Sequence, residues 1–418
     1  MRKFDAYRLY LWLMFFNALF FSMIFVVTSY YEATVAGLSG LQLVLVGTTV
    51  EVTILLFEVP TGIVADAYSR RLSIIIGFFI MGWGFIIEGL FPAFLPIVLA
   101  QIFWGIGYTF TSGAQQAWLS DEIGEENANR AFLHANRYDL AGALVGMLLA
   151  IPLGNIAVNI PIVAGGVLVS AIALALALVM PEHGFTPTRP ENRNTWQHMG
   201  DIFKKGLSTV RRRPALTAVL GVGFIYGLYS EGWDRLWVKY LVDNFTIPHI
   251  FGLNDVAFFG FLRAGGMILS ILATRQVEKR LDASHAPSIA KGMFWLTALL
   301  SLAIFTFAFS PALAVSIAAV WLVSITRNVL GPLYDAWVNQ RLDSDTRATV
   351  ISMSGQVDAI GQIASGPLAG VVSLWSIRAA ITYASLLLLP ALPLIRRANR
   401  LHAEEILEQA LPVEGEIP

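Results

Sequence analysis

Long apolar runs alternate with short polar connections along the whole chain. Each run has roughly 20 residues, the length that an α-helix needs to cross a bilayer. Because lipid offers no partner to free backbone groups, segments this apolar are expected to be helices. There are twelve such runs: 9–30, 41–64, 72–91, 94–117, 138–158, 160–180, 215–238, 256–274, 289–309, 312–337, 349–374 and 377–395. The pattern predicts an all-α membrane protein with twelve transmembrane helices.

A polar stretch divides these runs into two groups of six. We predict an N-terminal bundle over 1–180, a cytoplasmic linker over 181–214, a C-terminal bundle over 215–396 and a cytoplasmic tail over 397–418. The linker is rich in Pro, Asn, Thr and charged residues. Its part 197–212 forms either an amphipathic helix on the inner leaflet or a solvated connection.

The two halves carry an internal repeat. Three pieces of the first half recur 219 residues later: Ala117-Trp118, Arg130-Ala131 and Asp139-Leu-Ala-Gly142 return as Ala336-Trp337, Arg347-Ala348 and Asp358-Ala-Ile-Gly361. Six plus six helices with such a repeat is a transporter plan, with the solute site near the membrane midplane. The sequence therefore predicts two pseudo-symmetric six-helix bundles.

Composition supports this prediction. The chain has 418 residues, of which 56% are hydrophobic and 14% charged, and its mean hydropathy is +0.65. Soluble domains carry about a quarter charged residues. The absence of cysteine excludes disulfides, thiolate catalysis and Cys-ligated metals. The sequence contains neither a His-Glu-x-x-His pattern nor a Walker-type loop, so we expect no enzyme, metal, cofactor, ATP drive or nucleic-acid partner.

Lys and Arg fall mostly in connections that share one side of the membrane. The positive-inside rule then places both termini in the cytoplasm, with Arg378 in an outer turn. We expect a monomeric, multi-pass protein of a bacterial cell membrane whose partners are a small-molecule substrate, protons and the lipid bilayer.

The connection after the second run resembles a known family. Gly62-Ile-Val-Ala-Asp66-Ala-Tyr-Ser-Arg70-Arg71 resembles the major facilitator superfamily signature Gly-x-x-x-Asp-x-x-Gly-Arg-Arg/Lys, with Ser69 in place of the second Gly. The preceding Phe57-Glu-Val-Pro-Thr-Gly62 resembles the drug-efflux branch related to macrolide and tetracycline exporters. The resemblance implies the major facilitator fold and a contact that closes the cytoplasmic side.

We assign six residues to this cytoplasmic gate: Gly62, Asp66, Arg70, Arg71, Asp139 and Asp358. The last two are expected to start the fifth and eleventh transmembrane helices, so each could instead be a helix N-terminal carboxylate.

Two departures weaken the resemblance to drug/proton antiporters. Gln101-Ile-Phe-Trp-Gly105 puts an amide where the fourth helix of the family often has Arg. The antiporter signature of the fifth helix is only partial at Gly142-x-x-x-Gly146, and a closer match, Gly366-Pro-Leu-Ala-Gly370, lies in the eleventh run.

Ionisable residues inside the runs are candidates for proton coupling, because such residues should face a cavity and find a partner. At 1.5 Å per residue Glu51 lies about 15 Å below the outer end of its helix. Glu58 shares its face, and Arg327 lies at a similar depth. We predict proton coupling by these three; a permanent pair of Glu51 with Arg327 or Arg263 is the alternative.

A second set of residues is predicted to line a substrate cavity: Trp104, Tyr108, Tyr226, Glu231, Asp234, Arg235, Arg263 and Met267. Within this set Glu231 and Arg235 stand one turn apart and can satisfy each other, whereas Asp234 and Arg263 can form an outer gate pair. The aromatic residues could equally face lipid or the core.

These features predict a secondary active transporter that works by alternating access and exports amphipathic organic compounds in exchange for protons. The alternative is a proton-coupled symporter of a small polar or anionic solute, with Arg327 and Arg263 binding an anionic group. A non-transporting sensor with the same fold is a further alternative.

Overall fold

The computed structural model describes residues 5–187, 210, 213–280, 286–339 and 344–410, and within them it contains helices and no strand. Among the described residues the first half has seven α-helices: α1 (Ala6–Thr34), α2 (Gly40–Ala67), α3 (Arg70–Leu90), α4 (Phe94–Thr111), α5 (Ala114–Ile123), α6 (Glu125–Ile156) and α7 (Ile160–Val179). The described part of the second half has seven more: α8 (Pro214–Asn244), α9 (Asp255–Arg280), α10 (Ala286–Ala308), α11 (Leu313–Asn339), α12 (Ser344–Trp375), α13 (Ile377–Leu387) and α14 (Ala391–Ala410). The amphipathic helix considered for 197–212 lies outside the described residues, apart from Val210 and Arg213 at its edge.

Eleven segments of the described chain are long and apolar enough to cross a membrane, with α4 and α5 counted together and α13 and α14 counted together. The remaining long helix, α8, is more polar at its C-terminal end, where it carries Glu231, Asp234, Arg235 and Lys239. The prediction of an all-α, multi-pass membrane protein is confirmed.

Two predicted runs are interrupted by residues that end helices. The run 94–117 breaks after α4, where Gly113 has a φ of 71°, in the left-handed region that glycine enters without steric cost. The run 377–395 breaks before α14, next to Pro390, which lacks a backbone N–H. Because α14 continues to Ala410, the first part of the predicted tail from 397 is helical.

Asp139 and Asp358 do not start helices, so this expectation is wrong. The helix α6 begins at Glu125 and α12 begins at Ser344, which places both aspartates in mid-helix. In α6 the first turn instead holds Glu125 and Glu126, whose charges favour a helix N-terminus.

Backbone packing divides the chain into two units. The first comprises Met1–Thr195, Asp234–Gly265 and Gly366–Ile377, and the second comprises Trp196–Trp233, Gly266–Ser365 and Arg378–Pro418. The helices α8, α9 and α12 contribute to both units. The boundaries of bundles, linker and tail stated above stay a prediction.

In the first unit α1 packs directly on α6 through two glycines. A Cβ atom on Gly142 would lie 2.1 Å from the carbonyl oxygen of Phe15, and one on Gly146 would lie 2.0 Å from that of Leu19. Such distances leave no room for any side chain, so the two backbones touch.

The second unit repeats this contact between α8 and α12. A Cβ atom on Gly361 would lie 2.4 Å from the carbonyl oxygen of Phe224. One turn later the hydroxyl of Ser365 donates to the carbonyl of Leu228. Gly361 and Ser365 follow the two glycines of α6 by 219 residues, so the sequence repeat corresponds to the same helix contact in each unit.

We predict that Gly142→Ala lowers the thermal unfolding midpoint in detergent by several degrees, because overpacking costs about 1–3 kcal/mol. Gly355→Ala in α12 is the matched control, since no atom of the described residues lies within 4 Å of its added Cβ. Alanine also has the higher helix propensity, so the control midpoint should stay equal or rise. Equal midpoints for the two variants would contradict the packing described for α1 and α6.

Candidate functional site

A cavity of about 500 Å³ lies within the first unit, and residues of α1, α3, α4, α5, α6 and α9 line it. Its apolar lining is largely aromatic and sulfur-containing: Phe21, Phe25, Phe78, Met81, Trp104, Tyr108 and Met147. Its neutral polar lining includes Asn17, Ser22, Thr111, Ser112, Gln115 and Gln116. The size falls within the range of small-molecule sites, roughly 300–1,000 Å³.

The aromatic wall is ordered by helix periodicity. Trp104 and Tyr108 stand one turn apart on α4, and their rings stack with centroids 5.5 Å apart and planes 15° from parallel. Phe25 of α1 meets Trp104 edge-on at 6.2 Å. Together these rings give the cavity an aromatic wall against which another ring can stack or pack edge-on.

Charged groups of both signs also line the cavity. Asp139 of α6 is half-buried, and Arg263 of α9 places its guanidinium carbon 5.5 Å from the centre of the Trp237 ring. Arg263 interacts electrostatically with Asp234. Its buried Nε forms no hydrogen bond with any described residue. Of the residues predicted for a substrate cavity, the structure thus places Trp104, Tyr108 and Arg263 here, and Asp139 joins them.

A second polar cluster is buried among the same helices. Glu32 of α1 and Glu88 of α3 are each 1% exposed. The Nε2 of Gln101, on α4, donates to Oε2 of Glu88 at 3.1 Å. Glu88 also interacts electrostatically with Glu32 and with Arg235 of α8. Two acids, one amide and one guanidinium therefore interact inside the first unit.

The sequence reasoning missed the two acids of this cluster. Glu88 lies inside the apolar run 72–91, and Glu32 lies two residues past the end assumed for the run 9–30. A carboxylate inside a membrane span is itself a signal for a site. Gln101, noted above only as a departure from the family, proves to be a direct partner of Glu88.

The connection before α3 forms a third polar group. Ser69 is extended, with φ −174°, and its hydroxyl oxygen caps α3 by accepting from the backbone N–H of Leu72 at 2.9 Å. The same hydroxyl donates to Oε2 of Glu182 at 2.7 Å, and Oε1 of Glu182 accepts from the N–H of Arg71 at 2.9 Å. The serine at position 69, where the family has glycine, therefore caps α3 and also connects this helix to the segment after α7.

The two arginines of this connection also interact with other parts of the first unit. Nε of Arg70 lies 3.1 Å from Oδ2 of Asp121, whereas Asp66, whose side chain is 64% exposed, lies 3.9 Å from the Arg70 guanidinium. The guanidinium of Arg71 donates to the carbonyl of Ala177 at 2.6 Å. Of the two acids near Arg70, Asp66 of the motif is thus the more distant, and the nearer one, Asp121, was not among the predicted gate residues.

The other predicted residues of α2 have different surroundings. Glu51 is half-buried, and Glu58 is exposed. Gly62 has open space around it within the described part of the chain, so no steric reason for a glycine is visible there.

In the second unit the predicted residues are embedded among aromatic and polar side chains. The guanidinium carbon of Arg327 lies 5.8 Å from the centre of the Tyr229 ring. The hydroxyl of Tyr226 hydrogen-bonds Thr297 at 2.7 Å. Oδ2 of Asp358 accepts from Nε2 of Gln362 at 2.8 Å, one turn along α12.

Two further predicted residues, Glu231 and Met267, lie in the second unit and differ in their burial. Glu231 is 3% exposed, and Met267 is half-buried.

Comparison with known proteins identifies the family. The sequence model of the Major Facilitator Superfamily matches residues 10–291, more than half of the chain. The chain belongs to the Major Facilitator Superfamily. This major facilitator protein is 26% identical over 345 residues to YxaM, an uncharacterized MFS-type transporter of Bacillus subtilis (strain 168), and the match covers 80% of this chain and 81% of that protein. It is a membrane transporter of the MFS type, and the predicted resemblance is confirmed for the superfamily.

Solved structures agree on the fold. The crystal structure of a bacterial homolog of the human lysosomal transporter Spinster is similar with a TM-score of 0.73 and 14% identity, over 96% of this chain and 97% of that chain. The nucleoside transporter NupG is similar with a TM-score of 0.70 and 14% identity, over 98% of this chain and 100% of that chain. The predicted major facilitator fold is confirmed; at this identity the likeness concerns the fold alone.

We predict that Glu182→Ala makes the connection between α2 and α3 more susceptible to trypsin, because the carboxylate holds Ser69 and the N–H of Arg71. The expected result is faster cleavage after Arg70 or Arg71, measured by mass spectrometry of the purified protein in detergent. Glu126→Ala is the control, since Glu126 pairs with Arg130 on the exposed surface of α6. Identical cleavage rates in both variants would show that Glu182 does not stabilise this connection.

Proposed function

We propose that this major facilitator protein is a secondary active transporter that exports amphipathic organic compounds in exchange for protons by alternating access. The cavity of the first unit supports the substrate class. Its stacked rings suit a flat apolar group, and Asp139 suits a positively charged or hydrogen-bonding group on the same molecule. Such a division between ring and polar group defines an amphipathic solute.

The cluster around Glu88 supports proton coupling. Two carboxylates in one buried site repel each other when both are ionised, and Arg235 compensates one negative charge. Binding one proton would leave the cluster neutral, and releasing it would leave one negative charge away from water, which favours a change of conformation. We therefore propose Glu88, with Glu32, as the proton-binding group. Glu51, Glu58 and Arg327 remain proposed contributors.

The residues of the cytoplasmic signature keep their proposed role as a gate. The network of Ser69, Arg70 and Arg71 with Asp121 and Glu182 supports this role, because a charged network can be broken and remade as a unit. We further propose that both termini face the cytoplasm of a bacterial cell and that the protein acts as a monomer.

One observation favours the alternative, a symporter of a small polar or anionic solute. Arg263 lines the cavity, and its Nε is buried without a hydrogen bond to the described residues. A carboxylate or phosphate of a solute could bind this guanidinium through two parallel hydrogen bonds.

Transport by purified protein in proteoliposomes tests the proposal. A thermal-shift screen would compare the amphipathic cation ethidium with small organic anions. We expect ethidium to raise the unfolding midpoint and to accumulate in vesicles with an acidic lumen, because the proton gradient drives exchange. Binding and proton-driven uptake of an anion, with no response to ethidium, would instead support the symporter.

Substitution of an aromatic residue of the cavity tests whether the cavity binds the transported compound. Trp104→Ala removes the ring stacked on Tyr108, so we expect the KM for ethidium to rise about tenfold, in line with the roughly 0.5–1.5 kcal/mol of an aromatic pair plus lost apolar contact. Trp83→Ala is the matched control, because Trp83 is 46% exposed and is not among the cavity residues. Equal KM values for the two variants would remove the cavity from the transport pathway.

A second prediction concerns the proton. Glu88→Gln keeps the shape of the side chain and removes its titration, so ethidium uptake should no longer respond to the pH gradient while exchange of ethidium without a gradient continues. Glu126→Gln, on the exposed surface, should behave as wild type. Full coupling in Glu88→Gln together with its loss in Glu51→Gln would move the proton site to Glu51.

A further inference from the structure

A separate groove lies between α10 and α14 in the second unit. Its volume is about 230 Å³, and its lining includes Lys291, Phe294 and Trp295 from α10 and Arg396 and Asn399 from α14. It shares no residue with the cavity described above and plays no part in the proposed transport mechanism. Lys291 lies four residues after the start of the apolar span Pro287–Ala308, and Arg396, Arg397 and Arg400 lie near the end of the span Ile377–Glu404. The ends of such spans are the depth at which lipid headgroups lie.

The groove is positively charged. Lys291 and Arg396 are both exposed, and neither forms an ion pair with a carboxylate among the residues that the structure describes. The guanidinium carbon of Arg396 lies 4.2 Å from the centre of the Phe294 ring, a cation–π contact that holds the guanidinium at the groove. Two cations that line one groove, of which Arg396 is held by Phe294, suit a phosphate group.

The groove continues into an apolar stripe. Trp295, Leu299 and Leu302 follow Lys291 on one face of α10, and they are 63%, 36% and 60% exposed. A tryptophan at the border between charged and apolar surface is typical of the membrane interface. A ligand with a phosphate followed by a long apolar chain matches this order of residues.

Asn399 adds a hydrogen-bond acceptor. Its Oδ1 is buried at the groove and accepts no hydrogen bond from the described part of the chain. A phosphate cannot satisfy this atom, because it too is an acceptor, whereas a hydroxyl next to the phosphate can donate to it.

We propose that this groove binds one anionic phospholipid, with its phosphate between Lys291 and Arg396, a headgroup hydroxyl on Asn399 and an acyl chain along Trp295, Leu299 and Leu302. Phosphatidylglycerol has all three features. The groove is thus a lipid site on the outside of the second unit, where a bound lipid would contact both α10 and α14.

Native mass spectrometry of the full-length protein in detergent, titrated with phosphatidylglycerol, tests this proposal. We expect saturable binding that weakens at least fivefold in Lys291→Gln/Arg396→Gln and is unchanged in Arg397→Gln, which lies next on α14 but outside the groove. Lys291→Gln alone, which keeps the contact of Arg396 with Phe294, should give an intermediate loss. Equal affinity in wild type and in both groove variants would overturn the proposal.

Two further arms separate the possible sources of the phosphate. Inorganic phosphate and glycerophosphoglycerol lack acyl chains and should not displace the lipid at matched concentrations; displacement by either would overturn a lipid site in favour of a soluble anion. Asn399→Leu should bind phosphatidylglycerol and phosphatidic acid equally, whereas wild type should prefer phosphatidylglycerol. No preference in wild type would contradict the hydroxyl contact with Asn399.

Discussion

The burial of the Glu88 carboxylate is the constraint on which the first unit depends. A carboxylate away from water needs a hydrogen-bond donor and an opposite charge nearby, and here they come from different helices: Gln101 of α4 donates to Glu88, and Arg235 of α8 supplies the positive charge, whereas Glu32 of α1 adds a second acid. These helices can deliver their side chains only if their backbones stay close. The glycines on α3 and α4 allow this, because a Cβ atom on Gly77 would lie 2.6 Å from the carbonyl oxygen of Gly107.

The helix α3 connects the three polar groups of the first unit. Its N-terminus is fixed by Ser69 and the carboxylate of Glu182, its middle lines the cavity with Phe78 and Met81, and its last turn carries Glu88. A helix of 21 residues is a stiff element, so a displacement at one end is carried to the other. This arrangement gives the proposed proton group a direct mechanical connection to the proposed gate.

Local patterns in the sequence were enough for the spans, the repeat and the family, because hydrophobicity and the Gly62–Arg71 motif are properties of neighbouring residues. They failed at the start of one helix and at contacts between residues that are distant in the sequence. The segment 125–137 is polar and suggested a connection, yet it is the start of α6, supported by acidic residues in its first turn and by the pair of Glu126 with Arg130. The hydrogen bond of Gln101 with Glu88 joins two helices, α4 and α3, and no pattern of neighbouring residues predicts it.

The position of Arg235 beside the two acids matters for how proton binding could be coupled to a conformational change. Members of the family often carry Arg on the fourth helix, whereas this chain has an amide at Gln101 and uses Arg235, from the second half of the sequence, as the base. Arg235 and Glu88 belong to the same compact unit, so their interaction is part of the packing of the first unit itself. A proton on Glu88 would remove its attraction to Arg235, and the proton can shift a conformational equilibrium only if this attraction differs between the conformations.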